Sequence, residues 1–282
     1  MGCRAWFAVI LAGWGCLPCL CTPAAAGPKS HVGRATTADQ RVSMDHIDHA
    51  DWDRLLHSYV DQQGNVDYRR WKTTSTDVTA LDQYLDTLSA AEPALHANRQ
   101  AILAYWINAY NAVTVRGILM QYPTTSIRNH TARVFGYNIW HDLLLHVGSN
   151  TVSLDHIEHA VLRKLEEPRI HFAIVCASKG CPLLLNEAYS AERLEEQLQS
   201  NARVFFATQA NFVYDVRQGT MQFSAILDWF GEDFGATHEA QLRAIAQLLP
   251  DEAAQQAARD GNVRVSYLDY DWTLNEQVDA EP

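Results

Sequence analysis

Apolar residues in the first half of the chain recur at helical intervals. Trp52, Leu55, Leu56 and Tyr59 share one face of a helix that stops near Gly64, and Val66 and Tyr68 mark a short extended piece. Leu81, Tyr84, Leu85 and Leu88 form a second amphipathic face, ended before Pro93 because proline cannot supply the next helical N–H. The stretch 99–121, RQAILAYWINAYNAVTVRGILMQ, is apolar nearly all round and predicts a helix buried in the core. Its polar exceptions, Asn108, Asn111, Thr114 and Arg116, do not form one solvent stripe. Some of them must therefore be buried and hydrogen-bonded.

The rhythm shortens in the second half. Residues 143–154 predict a hairpin turning at Gly148-Ser149-Asn150, and Ser153 can cap a helix from Leu154 to Glu166. Beyond Pro168, the apolar run Ile170–Cys176 has the β-forming content of an interior strand, followed by the loop ASKGCP. Cys181-Pro182 resembles a helix entrance, with proline at the first helical position. Ser190 opens a further helix, 212–223 reads as a second hairpin turning at Gln218-Gly219, and 238–258 is helical. The β-branched and aromatic VRVSYLDYDWTLNE closes the pattern as a strand. The expectation is a single α+β domain over residues 44–282, with a helical first half and a small sheet formed mainly by the second half.

Ahead of these elements, residues 1–26 carry Arg4, an apolar run from Ala5 to Cys21 and the exit Ala24-Ala25-Ala26, the pattern of a cleaved secretory signal. The polar residues 27–43 read as a flexible leader. Loss of the signal removes Arg4, its only charge, and takes the formal charge from −11 to −12. That balance argues against nucleic acid or an anionic membrane surface as partner. No later stretch is long and apolar enough to span a bilayer. The expected location is periplasmic or secreted, with association to the cell envelope compatible.

Of six cysteines, only Cys176 and Cys181 lie beyond the signal. In an oxidising compartment they can pair as a structural disulfide, act as a catalytic thiol with a base, or form a redox dithiol without the usual C-x-x-C spacing. Lys179 or a helix N-terminus would favour the thiolate. Asp155-His156-Ile157-Glu158-His159 is the second constellation. Its paired histidines lack the H-E-x-x-H spacing of a metal site, and no metal or cofactor is expected. Glu158 or His159 could instead face the thiol loop as orienting acid and base, although helical neighbours point about 100° apart. His171, five residues before Cys176 on the expected strand, would point to the opposite face.

The strings YWINAYNAVTVR (105–116), SLDHIEHAVLR (153–163), RIHFAIVCASKGCPLL (169–184), ILDWFGEDF (226–234) and YLDYDWTLNE (267–276) together resemble the uncharacterised family catalogued as domain of unknown function 547. The likeness extends over about Asp45 to Asn275. It implies no reaction, but it gives weight to Trp106, Asn108, Asn111, Glu158, His159, Arg163 and Cys176. Relatives of the plant type carry serine in place of Cys181, which moves the chemistry toward Cys176, and relatives more often carry an acid at His156.

The resulting expectation is a thiol-dependent hydrolase or acyl transferase acting on an amide or ester of a small-molecule or peptide-like ligand. Cys176 is the nucleophile, His159 the base, Glu158 or Asn111 the orienting group, and Asn108 a further member of a polar site. Backbone amides of 178–181 would hold the oxyanion. The alternatives are a binding or envelope-scaffold domain stapled by a Cys176–Cys181 disulfide, and a dithiol redox protein.

Overall fold

A computed structural model describes residues 28–132 and 136–278. The expected signal, 1–26, lies outside the described residues. Part of the expected leader is packed: β1 (Ser30–Val32) joins a sheet, with Val32 buried. Helices α1 (Ala50–Tyr59), α2 (Tyr68–Thr73) and α3 (Ser75–Ser89) follow, then α4 (Arg99–Gln121). Next come α5 (Ile139–Asp142), the hairpin β2 (Leu143–Val147) and β3 (Asn150–Ser153), and a π-helical turn, His156–Val161. After an irregular stretch the chain forms α6 (Leu194–Ala207), the hairpin β4 (Phe212–Asp215) and β5 (Thr220–Ser224), α7 (Ala225–Phe230), α8 (His238–Ile245), α9 (Glu252–Asp260) and β6 (Arg264–Leu268). This is an α+β fold, helical first and with its strands mostly in the second half.

Both sheets have three strands and mixed pairing. In the first, β2 pairs in parallel with β1 and antiparallel with β3; in the second, β5 pairs antiparallel with β4 and in parallel with β6. Two apolar clusters fill the interior. The larger surrounds α4 and includes Trp52, Trp71, Tyr84 and Tyr105. The smaller is rich in phenylalanine, with Phe172, Phe205, Phe206, Phe212, Phe223 and Phe234. Tyr270 packs against both.

As its pattern predicts, α4 is buried on nearly every side, and the Asn98 side chain caps it by accepting from the Ala101 N–H. Its polar residues have separate duties. Arg116 forms a two-pronged ion pair with Asp82. Asn108 and Asn111, one turn apart, both face the irregular stretch after residue 172. Asn108 donates to the Tyr189 carbonyl at 2.8 Å and accepts from the Tyr189 N–H at 3.0 Å. Asn111 donates to the Ala173 carbonyl at 3.0 Å and accepts from the Val175 N–H at 2.8 Å. From α6, Asn201 donates to the carbonyls of Phe172 and Leu183.

These amides correct the expected strand. Residues 168–172 form a 3-10 turn and 173–176 have no ladder partner. The β-forming composition of 170–176 reflects burial, and side chains from helices do for its backbone what a neighbouring strand would have done. The helix expected at Pro182 is also absent; the chain stays irregular until α6 begins at Leu194. The helix expected over 238–258 is two, divided near Pro250. Of the expected closing strand, only 264–268 enters a sheet. The remainder crosses the molecule as an extended strap beside the cysteine loop.

Candidate functional site

The strap fixes the cysteine loop. Lys179 N–H donates to the Thr273 carbonyl, Gly180 N–H to Asp271, and Asn275 N–H to Ala177. Gly180 is needed for this approach: a Cβ there would stand 3.0 Å from Asp271 backbone atoms and the Tyr270 ring. Ala177, buried between Cys176 and Ser178, has φ +60°, a left-handed conformation that costs an alanine energy and reverses the chain direction. Through that reversal the Cys176 N–H points back at the Cys181 sulfur, 3.1 Å away.

The two sulfurs lie 2.8 Å apart and both cysteines are free. Tyr270 Oη is 3.0 Å from Cys181 Sγ and 3.3 Å from Cys176 Sγ. Ser178 Oγ is 3.4 Å and 3.1 Å from the same atoms. Cys181 therefore has donors on several sides. Burial pushes its thiol up, but hydrogen bonds from Cys176, Ser178 and Tyr270 outweigh it and bring the pKa to about 6. Cys176 moves the other way: its bond to Cys181 and its burial hold it well above the usual range. The pair shares one proton, carried by Cys176. Bonds from Thr273, and then the charge of Lys179, hold Asp271 below the ordinary carboxylate range.

Both cysteines line a cavity of about 290 Å³, together with Glu158, His159 and His171. Three of the expected site residues, Cys176, Glu158 and His159, thus meet at one space. The π-helical turn makes this feasible. Its wider winding narrows the angle between successive side chains, so adjacent Glu158 and His159 both reach the cavity. Asn108 and Asn111 do not line it; they hold the backbone that forms its wall. His156 turns to a separate groove, with Val147 and Val152. Among the described residues no group of three or more His, Cys, Asp or Glu side chains is arranged to hold a metal ion.

No histidine nitrogen is bonded to either sulfur. His159 Nε2 lies 3.8 Å from Asp155 and its Nδ1 3.4 Å from an Arg163 nitrogen. Glu158 accepts from Tyr110 Oη at 3.2 Å; burial raises its pKa, with His159 and Tyr110 partly offsetting the rise. Three of the four loop amides expected as an oxyanion hole are engaged, since Cys181 N–H donates to Ser178 and those of Lys179 and Gly180 to the strap.

His171 lines the same cavity as Cys176, and the strand whose alternation would have separated them does not form. Its Nε2 is 2.7 Å from Asp233 Oδ2, and its ring stacks on Phe230 at 4.2 Å. Burial lowers its pKa despite that carboxylate, which favours the neutral ring with Nε2 donating to Asp233. Burial pushes Asp233 up, but bonds from Arg163 and His171 hold it below the ordinary carboxylate range. Trp140, Trp229, Phe230, Tyr270 and Trp272 line the cavity as well.

Residue-by-residue reading of the sequence passes over Asp233, Tyr270 and these tryptophans. The only signal for Asp233, Tyr270, Trp229 and Trp272 is the density of aromatic and acidic residues in ILDWFGEDF and YLDYDWTLNE, and Trp140 lies in neither string. No helix among the described residues is long and apolar enough to cross a membrane. No curated protein and no solved structure matches the chain. Residues 94–206, from just before α4 to the end of α6 and including both cysteines, match the family described as "Protein of unknown function, DUF547".

Proposed function

We propose that the cavity is the site of a thiol–disulfide exchange reaction. The observation that carries this reading is the sulfur pair at 2.8 Å, with Cys181 the thiolate and Cys176 holding the proton. The Cys181 thiolate attacks one sulfur of a substrate disulfide, forming a mixed disulfide and expelling the other sulfur as a thiolate. Cys176 then loses its proton and attacks Cys181, forming the Cys176–Cys181 disulfide and releasing the second substrate thiolate. Two protein thiols are oxidised and one substrate disulfide is reduced to two thiols; in reverse the protein is an oxidant. Export through the signal at 1–26 would place this chemistry where disulfides persist. The test is equilibration with reduced and oxidised glutathione, read by intact mass after thiol blocking. The reading expects one two-electron transition, a loss of two hydrogens, abolished in Cys176→Ser. Cysteines that stay blocked under oxidising buffers, or a pair that no thiol reduces, overturn it.

A second reading is favoured by the meeting of Cys176, Glu158 and His159 at one cavity. It is the thiol-dependent hydrolase or acyl transferase, with Cys176 as nucleophile and His159 or the Asp233-oriented His171 as base. It predicts a covalent adduct on Cys176 with acyl probes, which exchange chemistry does not form. The engaged loop amides and the bonding of both histidines elsewhere weigh against it.

A further inference from the structure

We infer that the group seated beside the cysteines is an organic cation: a primary ammonium carried on a short apolar stem next to the substrate's disulfide. This deepens the exchange reading and rests on it for the disulfide alone. Much of the cavity's lining is a cluster of aromatic rings. Trp229 stacks on Trp272 at 5.7 Å, Tyr270 lies 4.5 Å from Trp272 and 4.9 Å from Trp229, and Trp140 meets Trp272 edge-on at 6.4 Å. Ring faces attract cations, and two guanidinium groups already use them here. Arg128 sits 5.1 Å over Trp272 and Arg163 5.5 Å over Phe230. Neither arginine lines the cavity.

Two carboxyl groups, Asp155 and Glu158, line the same cavity. Asp155 approaches only histidines, His141 at 3.9 Å and His159 at 3.8 Å. Glu158 accepts one hydrogen bond, from a neutral tyrosine. A half-buried carboxyl with no lysine or arginine beside it is an incomplete ion pair, and an ammonium entering over the rings would complete it. A space of about 290 Å³ has room for such a stem together with the disulfide it carries. An anionic disulfide would meet two carboxyl groups and a Cys181 thiolate.

Two measurements on the mature protein test this. Tryptophan fluorescence is titrated with n-butylammonium, n-butanol and butyrate, none of which can exchange disulfides. Oxidation of the dithiol is then timed with cystamine, hydroxyethyl disulfide and dithiodipropionate, each normalised to its rate with free cysteine. The cation should bind, and react, about tenfold better than the neutral analogue. Glu158→Gln, and separately the exposed-residue change Trp229→Leu, should each collapse that ratio. Equal binding of butylammonium and butanol overturns the inference, as does a ratio that survives both substitutions. If butylammonium binds selectively but no disulfide reacts, the cation site stands and the exchange reading fails.

Discussion

The two apolar clusters solve the same problem by different means. Around α4, buried amides do much of the work: Asn108 and Asn111 hold Tyr189, Ala173 and Val175 by their backbone atoms, so irregular chain can lie inside the protein. The second cluster depends on ring packing, with Phe206 within 6.3 Å of Phe172, Phe205, Phe212 and Phe223. The cavity opens where they meet. The amide-held body supplies the thiols and Glu158, and the second region supplies Trp229 and Phe230. Helix α6 runs through both clusters, and side chains cross the join beside the cavity. Arg163 grips Asp233 and Glu232, His171 reaches Asp233, and Tyr270 touches both clusters.

The largest expected effect breaks the ring-packed region. Phe206→Ala leaves a cavity among its four aromatic neighbours and should cost about 3–5 kcal/mol by chemical denaturation. Because Phe206 touches no thiol, protein that remains folded should keep its Cys181 alkylation profile.

The amide-held region has its own acid sensitivity. His49 bonds Tyr84 at 2.7 Å, and burial lowers its pKa to about 4. Its folded value lies below its unfolded value of about 6.5, so the unfolded chain takes up the proton first. The stability involved is fully present above pH 6.5 and is lost as pH falls toward 4. Between pH 6.5 and 5 this amounts to about 2 kcal/mol. His49→Gln should flatten that part of the stability curve relative to the parent; parallel curves would remove His49 from the account.

Asn111→Ala strikes the wall itself. It strands the Ala173 carbonyl and the Val175 N–H in a dry interior, at about 1–3 kcal/mol. Because the loop to Cys176 hangs from these bonds, thiol reactivity should change with stability. Asn108→Ala, whose partner is Tyr189, should destabilise comparably and leave the thiols less affected. Equal effects on the thiols would mean that both asparagines serve packing alone.

Much of this arrangement was legible in the sequence, and the failures share one cause. The helix over 99–121 and the burial of its asparagines follow from a pattern with no solvent face. The identity of their partners does not, because Asn111 and Val175 are 64 positions apart. For the same reason Ile170–Cys176 reads as a strand: composition reports burial, and nothing local reveals that helix side chains replace the ladder. The winding of 156–161 is equally hidden, though it decides whether Glu158 and His159 can share a target. Cys176 was the sulfur that the family pattern favoured. The donors that make Cys181 the thiolate come from a backbone reversal at Ala177 and from a strap almost ninety residues away.

The smallest effect sharpens the comparison most, because it falls on the residue that belongs to both regions. Tyr270→Phe keeps the ring that packs on Trp229 and Trp272 and deletes only the hydroxyl. Burial, and then the charge of Cys181, keep the phenol far from ionising, so in the parent it is a hydrogen-bond donor throughout the working pH range. Without that donor the Cys181 thiolate loses one of its stabilising bonds, and its pKa should rise by about one unit from about 6. The alkylation rate plotted against pH should shift upward by that amount. Near pH 6 the variant should react several-fold more slowly, and well above pH 8 at the parent's rate. A tyrosine that only packs would lower the melting temperature with the profile unmoved, and that result would hand the thiolate to the Cys176 N–H and Ser178. A shifted profile at nearly unchanged melting temperature would mean that the strap controls the chemistry of a loop it does not belong to.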